Sequence, residues 1–228
     1  MDYSYIDRNY AAIKERVENA KKDSDVLILA VIKGADVGEI NYLTDNVGVK
    51  DVGENRVQQL LERYDKIKRE DVNVHFIGKL QTNKVKYIIG KVSLIHSLDS
   101  ESLAREIDRQ AKKHGITADV LIEINIGREE NKSGVMPEAL DEFVGNISAY
   151  NNINVKGFMT MAPKCVEKDE YRKYFAETYR LVLDIWQKKL HNIDRPVLSM
   201  GMSGSFEAAI EEGSNLVRIG TALFKKEE

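Results

Sequence analysis

Short apolar runs alternate with longer amphipathic segments along this chain. The clearest run is Val26–Ile32, seven consecutive apolar residues rich in β-branched types. This composition is typical of a strand that is covered on both faces, as in parallel sheets. Ahead of it, apolar residues from Ile6 to Ala20 recur at alternating four- and three-residue steps, the stripe of an amphipathic helix. The pattern therefore predicts a leading helix followed by a buried strand.

The same alternation continues to the end of the chain, with helices predicted between the strands. One of these helices has clear end signals, since Asp99 or Ser100 can cap its start and Gly115 can end it. The further predicted strands are 47–52, 72–77, 92–98, 118–126, 155–161, 197–202 and 216–224.

Eight strands alternating with helices, after one extra N-terminal helix, is the count of a (β/α)₈ or TIM barrel, which typically has about 250 residues. A doubly wound open sheet is the alternative fold. No predicted strand is followed by the Gly-x-Gly-x-x-Gly turn of dinucleotide-binding sheets. We therefore predict an α/β fold, a single TIM barrel over residues 1–228 with no internal domain boundary.

Composition narrows the class of protein and its partners. The net charge of −3 and the pI near 5.9 argue against non-specific binding of nucleic acid or anionic membranes. Cys165 is the only cysteine, so an internal disulfide or a thiolate metal cluster is not expected. The sequence contains neither a secretory signal nor an apolar run near the ~20 residues of a membrane span. We expect a cytoplasmic monomer that contacts neither nucleic acid nor membrane.

Chemistry in a barrel gathers where the strands end and the loops begin. Lys33 directly follows the first predicted strand. If it were buried at the mouth of the core, its pKa would fall and the neutral amine could attack a carbonyl group. By position alone, Lys33 could also be the first solvated residue of the loop.

The last two strand ends are rich in glycine and hydroxyl groups. Ser199–Ser205 has the sequence Ser-Met-Gly-Met-Ser-Gly-Ser, and Gly220-Thr221 follows Arg218. Barrels often bind phosphate with the loops after strands seven and eight, where backbone N–H groups and hydroxyls can cradle a dianion. Turn formation alone would also explain these residues. An amine and a phosphate cradle together imply a phosphorylated carbonyl compound, either pyridoxal 5′-phosphate (PLP) or a sugar phosphate.

A series of motifs at the strand ends identifies a family. In chain order they are Ala30-Val-Ile-Lys33, Gly53-Glu-Asn55, His75-Phe-Ile-Gly-Lys-Leu-Gln-Thr-Asn-Lys84, Ile95-His-Ser97, Glu123-Ile-Asn-Ile-Gly127 with Lys132-Ser-Gly134, Gly157-Phe-Met-Thr160, Leu198-Ser-Met-Gly-Met-Ser203 and Val217-Arg-Ile-Gly-Thr221. Together they resemble the YggS/PROSC family of pyridoxal-phosphate homeostasis proteins, from the first helix to Phe224.

The resemblance implies a barrel like the N-terminal domain of alanine racemase, the type III fold of PLP proteins. By motif position, Lys33 matches the lysine that holds PLP covalently as a Schiff base. Asn55 matches an asparagine beside the cofactor, and Arg218 matches the arginine that faces the pyridine nitrogen. The residues that match the phosphate cradle and its edge are Met202, Ser203, Gly220 and Thr221.

The resemblance also implies a carrier rather than an enzyme. A cation at the pyridine nitrogen disfavours its protonation and weakens the ring as an electron sink. Racemase-like enzymes complete their site with a second, β-rich domain, for which no residues follow Phe224-Lys-Lys-Glu-Glu. We expect a non-catalytic protein, with no catalytic residue and no metal site, that buffers PLP or delivers it to apo-enzymes. The alternatives are a PLP-dependent racemase- or decarboxylase-like enzyme and a Schiff-base aldolase acting on a sugar phosphate.

Four further positions carry expectations of their own. Ile32 and Ser205 depart from the family, which usually has a serine and an acidic residue there. Ser205 removes a helix cap, which we expect to loosen the phosphate loop. His75 and His96 lie in or at the end of strands, where hydrogen-bonded structural roles are more common than catalytic ones.

Overall fold

Eight parallel strands close into a barrel in the computed structural model, which describes residues 2–22, 25–67, 71–189 and 195–226. Each strand pairs with the next one in the sequence, and the last pairs with the first. This closed order confirms the predicted TIM barrel. The strands are β1 Leu27–Val31, β2 Asp51–Glu54, β3 Asn73–Phe76, β4 Leu94–Leu98, β5 Ala118–Ile124, β6 Ile153–Thr160, β7 Val197–Met202 and β8 Leu216–Ile219.

The helices surround the barrel, and the first of them is the predicted extra helix ahead of β1. Its apolar stripe is buried at Ile6, Ile13 and Val17, as the spacing predicts. Short 3₁₀ turns at 82–84 and 137–139 precede two of the helices. The helices are α1 Ser4–Ala20, α2 Val37–Asp45, α3 Val57–Arg63, α4 Val85–Ile88, α5 Glu101–His114, α6 Leu140–Ile147, α7 Lys168–Lys189 and α8 Phe206–Glu211.

The end signals of α5 are confirmed. The Ser100 hydroxyl accepts a hydrogen bond from Leu103 N at 3.4 Å, and Gly115 takes the left-handed conformation with φ of 65°. Within the described ranges, no helix combines the length and the apolar character needed to cross a membrane.

Two strands, β2 and β8, differ from the prediction by more than two residues at one end. β2 begins and ends later than expected, so that Gly53 and Glu54 belong to the strand. β8 ends at Ile219, because the chain turns at Gly220, whose carbonyl accepts hydrogen bonds from Leu223 N and Phe224 N at 2.9 and 3.2 Å. Leu223 is nevertheless fully buried. Apolar composition therefore extended the prediction past the strand, since it does not distinguish a buried turn from a buried strand.

Gly157 in β6 provides a test of the barrel's packing. Its φ is +151°, and a Cβ there would lie 2.1 Å from the carbonyl oxygen of Val197 on β7. We expect Gly157→Ala to lower the free energy of unfolding by about 3 kcal/mol through strain and overpacking, measured by urea denaturation. Gly34→Ala is the control, because nothing lies within 4 Å of its added Cβ. Equal stability of the two variants would contradict this packing.

Candidate functional site

Lys33 lies in the turn that follows β1. Ile32 N donates to Gly53 O at 3.0 Å, and Ala35 N donates to Ile32 O at 3.1 Å to close the turn. Ile32 is fully buried, whereas Lys33 is exposed. Of the two environments that the sequence left open for Lys33, the structure shows the solvated one, because the chain leaves the core directly after Ile32.

Asn55 follows β2, beside the Lys33 turn. Its backbone N–H donates to the fully buried carboxylate of Glu54 at 2.7 Å, which also accepts from Arg56 N at 3.3 Å. The side-chain Oδ1 of Asn55 is buried and has no hydrogen-bond partner among the described residues. An acceptor in this state costs about 1–3 kcal/mol, so this atom suits a donor on a bound molecule.

Arg63 on α3 links the Lys33 turn to the Asn55 strand end. Its NH1 donates to Ile32 O at 2.9 Å and lies 3.4 Å from Glu54 Oε2. One guanidinium thus holds both the residue before Lys33 and the carboxylate that fixes the backbone of Asn55. Sequence reasoning missed Arg63, because its partners come from other segments of the chain and no motif marks it.

Arg218 lies inside the barrel on β8, with only 5% of its surface exposed. NH1 donates to Ser199 O at 2.6 Å and to Ser199 Oγ at 2.8 Å, and NH2 donates to Thr160 O at 3.0 Å. Burial lowers the pKa of Arg218 to about 10, against the opposing effect of the Glu123 charge. The guanidinium therefore remains cationic at neutral pH and is held against the barrel wall.

A line of hydrogen-bonded side chains continues from Arg218 through the barrel interior. His96 Nδ1 lies 3.1 Å from Ser199 Oγ, His96 Nε2 lies 2.9 Å from His75 Nδ1, and His75 Nε2 lies 3.2 Å from Asp51 Oδ1. The two histidines are therefore hydrogen-bonded, as expected. Their contact with each other and with Ser199 could not be read from the sequence, because the residues lie on β2, β3, β4 and β7.

Glu123 on β5 is a second buried ionisable group near the site. Burial raises its pKa to about 7, the charge of Asp99 acts in the same direction, and Arg218 and Lys79 oppose both. The sequence motif contains Glu123 but gave no sign of this environment. Among the described residues, no three His, Cys, Asp or Glu side chains are arranged to hold a metal ion.

Met202 ends β7, and the other predicted phosphate-cradle residues lie in the two neighbouring loops after β7 and β8. Ala222 N donates to the Ser203 hydroxyl at 3.4 Å, which joins the loops. A Cβ on Gly220 would lie 3.1 Å from Val31 O, so glycine lets this loop approach β1 closely. Thr221 and Met202 are exposed. Because β8 pairs with both β7 and β1, Ser203, Gly220, Lys33 and Asn55 follow four consecutive strands.

Ser205 closes the first of these loops. As expected, its side chain does not cap α8. Its hydroxyl instead accepts from Met202 N at 3.2 Å, and its backbone N–H donates to Met202 O at 2.8 Å. The serine therefore closes the turn before α8, and the loosening expected from the lost cap stays a prediction.

The raised pKa of Glu123 predicts a pH-dependent stability. The carboxyl ionises near 4.5 in the unfolded chain but keeps its proton to about pH 7 in the folded one. Its contribution is therefore complete below about pH 4.5 and is lost as the pH rises through 7. We expect wild type to lose on the order of 3 kcal/mol more unfolding free energy than Glu123→Gln between pH 4.5 and 8.

Urea denaturation at a series of pH values measures this difference. Glu106→Gln is a control of opposite sign, because a hydrogen bond from Arg109 lowers the pKa of Glu106 to about 2. The stability difference between wild type and Glu106→Gln should therefore be constant above about pH 4.5 and should change only as the pH falls below that value. Parallel pH profiles for wild type and Glu123→Gln would contradict the buried-carboxyl assignment.

Comparison with known proteins places the chain in a family. The model of the alanine racemase N-terminal domain matches residues 1–228. A pyridoxal phosphate homeostasis protein of Aquifex aeolicus is 51% identical over 179 residues, which cover 78% of each chain.

Solved structures agree with this assignment. A crystal structure of an unknown protein from Bifidobacterium adolescentis has a TM-score of 0.88 at 32% identity, covering 98% of this chain and 97% of that one. The structure of PipY from Synechococcus elongatus with PLP bound has a TM-score of 0.82 at 27% identity, covering 96% and 100%. The chain therefore belongs to the YggS/PROSC family of pyridoxal phosphate homeostasis proteins, built on the barrel of the alanine racemase N-terminal domain.

Proposed function

We propose that this chain binds PLP, holds it as a Schiff base on Lys33, and serves intracellular PLP homeostasis by buffering or delivering the cofactor. The observation that carries the proposal is the convergence of an amine, an amide and two glycine- and hydroxyl-containing loops on four consecutive strand ends, above the buried Arg218. The PLP bound to PipY, a relative of the same fold, supports it. The proposal treats residues 1–228 as one PLP-binding domain.

The residues present fit this cofactor. The buried Oδ1 of Asn55, which has no hydrogen-bond partner among the described residues, can accept a hydrogen bond from a bound molecule. The position of a Cβ on Gly204 has no heavy atom within 4 Å, so the first cradle loop has open space beside Ser203. Hydroxyls and backbone N–H groups around such a space suit a phosphate dianion.

Each residue has a separate part in holding the cofactor. The Lys33 amine supplies the covalent link, and Ser203, Gly220 and Thr221 bind the phosphate, with Met202 at the edge of the cradle. Asn55 would orient the ring, and Arg218 would supply the cation near its nitrogen. When bound, PLP supplies an aldehyde that condenses with amines and a ring that can withdraw electrons. The cation of Arg218 disfavours a proton on the ring nitrogen and so weakens that withdrawal.

The weakened ring favours a carrier over an enzyme. The proposal accordingly includes a cytoplasmic monomer that passes PLP to apo-enzymes through transient contacts. A racemase-like activity is the second candidate function, and it is favoured by the burial of the Glu123 carboxyl on β5. Burial raises the pKa of Glu123 to about 7, which is suited to proton transfer near neutral pH. A measurement of catalytic turnover distinguishes the carrier from the enzyme.

Spectroscopy tests the lysine and the cofactor together. Wild type incubated with PLP should show the visible absorption band of a Schiff base, and borohydride reduction should fix the PLP mass on the peptide that contains Lys33. Lys33→Ala should lose both signals, since it lacks the amine. Lys113→Ala, an exposed lysine on α5, should behave as wild type. A wild type that stays colourless and instead traps a sugar phosphate with borohydride would favour the aldolase.

Turnover tests the carrier against the enzyme. Loaded protein incubated with L-alanine should produce no D-alanine above the rate of free PLP, measured by chiral chromatography. Sustained D-alanine formation that Glu123→Gln abolishes would replace the carrier with a racemase.

A further inference from the structure

The line of side chains from Asp51 to Arg218 reaches the proposed site only at Arg218, and its other four members have no part in the proposed function. It crosses the barrel, because His96 on β4 contacts Ser199 on β7, and it draws on five of the eight strands. Barrel interiors are usually filled by branched apolar side chains. Polar groups in such a place are costly unless they are hydrogen-bonded.

Because most of these side chains are buried, each of their polar groups needs a hydrogen-bond partner. His96 and Ser199 are fully buried, and His75 is 5% exposed. Each member nevertheless has a partner on both sides at 3.2 Å or less. The line is therefore a continuous, fully bonded network that runs from a partly exposed carboxylate to the guanidinium in the site.

With both histidine rings neutral, the two ends fix the direction of every hydrogen bond in the line. Arginine can only donate, so Ser199 Oγ accepts from Arg218. An ionised Asp51 can only accept, so His75 Nε2 must carry the proton that faces it. A neutral imidazole has one N–H and one acceptor nitrogen. His75 Nδ1 therefore accepts from His96 Nε2–H, and His96 Nδ1 accepts from the Ser199 hydroxyl.

The reverse arrangement does not satisfy the groups. If His96 Nδ1 carried the proton, its Nε2 would need a proton from His75 Nδ1, and neutral His75 would then present a bare Nε2 to the Asp51 carboxylate. The Ser199 hydroxyl would also need another acceptor, and within the described part of the chain its only hydrogen-bond partners are His96 and Arg218. Burial, together with the nearby His75 and Arg218, lowers the pKa of His96 well below its ordinary value, which agrees with a neutral ring.

We propose that Asp51, His75, His96 and Ser199 form a polarised relay, with both histidines as neutral Nε2–H tautomers, that orients the guanidinium of Arg218. His96 is then a positioning residue for the bound cofactor, acting through Ser199 from the opposite wall of the barrel. The role toward the cofactor rests on the proposed function, whereas the tautomers are a property of the chain alone.

Nuclear magnetic resonance of the full chain with ¹⁵N-labelled histidine tests the tautomers without cofactor. The chain has four histidines, and His114 is exposed on α5 while His191 lies outside the described residues. Single substitutions assign the ring signals. We expect His75 and His96 each to show a protonated Nε2 and a bare Nδ1 at neutral pH. An Nδ1–H tautomer or an imidazolium at either position would overturn the relay.

Variants test the effect on the site. His96→Leu removes the acceptor of the Ser199 hydroxyl, and we expect about tenfold weaker PLP binding and a shifted visible maximum of the bound cofactor. His96→Asn places an amide oxygen near the former Nδ1 and should restore most of the affinity and the maximum. His114→Leu is the matched control and should leave both unchanged. A general loss of stability would not produce this rescue.

The outcomes separate the two proposals. A wild type that does not bind PLP defeats the proposed function, while the resonance experiment still decides the relay. A wild type that binds PLP, with His96→Leu indistinguishable from His114→Leu, overturns the positioning role alone. If His96→Leu does not fold, Ser199→Ala replaces it, and an unchanged cofactor maximum in that variant overturns the role equally.

Discussion

The burial of Arg218 is the constraint on which the interior of this barrel depends. A cation removed from water carries a desolvation cost of several kcal/mol in proteins, and here it is offset by the carbonyls of Thr160 and Ser199, the Ser199 hydroxyl and the charge of Glu123. These partners lie on β5, β6 and β7. The guanidinium on β8 thus requires polar groups from these other strands. The interior of the barrel cannot be wholly apolar at this level.

Closure of the barrel brings the loops of the candidate site together. Because β8 pairs with β1, loops from opposite ends of the chain meet: the Ser203 and Gly220 loops lie on one side of Lys33 and the Asn55 loop on the other. Arg63 fixes the second side from outside the sheet. The arrangement separates the anion-binding loops from the amide, with the lysine turn between them.

The exposure of Lys33 is consistent with a carrier. A lysine sealed in the core would hold its cofactor away from water, whereas an exposed one can be reached by water and by acceptor amines. Firm positioning then falls to the buried groups beneath it. Rigid support below and an accessible amine above would suit the proposed carrier, which must both retain PLP and release it.

The sequence determined the barrel, the helix ends of α5 and the family, because strand periodicity, turn residues and motif order are local properties of a chain. It also identified Lys33, Asn55, Arg218 and the glycine loops as candidates. Tertiary structure alone decided that Lys33 is exposed and that β8 ends at Ile219. It alone brought Arg63 to Ile32 and His96 to Ser199, which are separated by 31 and 103 residues. Such contacts arise when the sheet closes on itself, and neither composition nor spacing along one strand specifies which side chains then face each other across its interior.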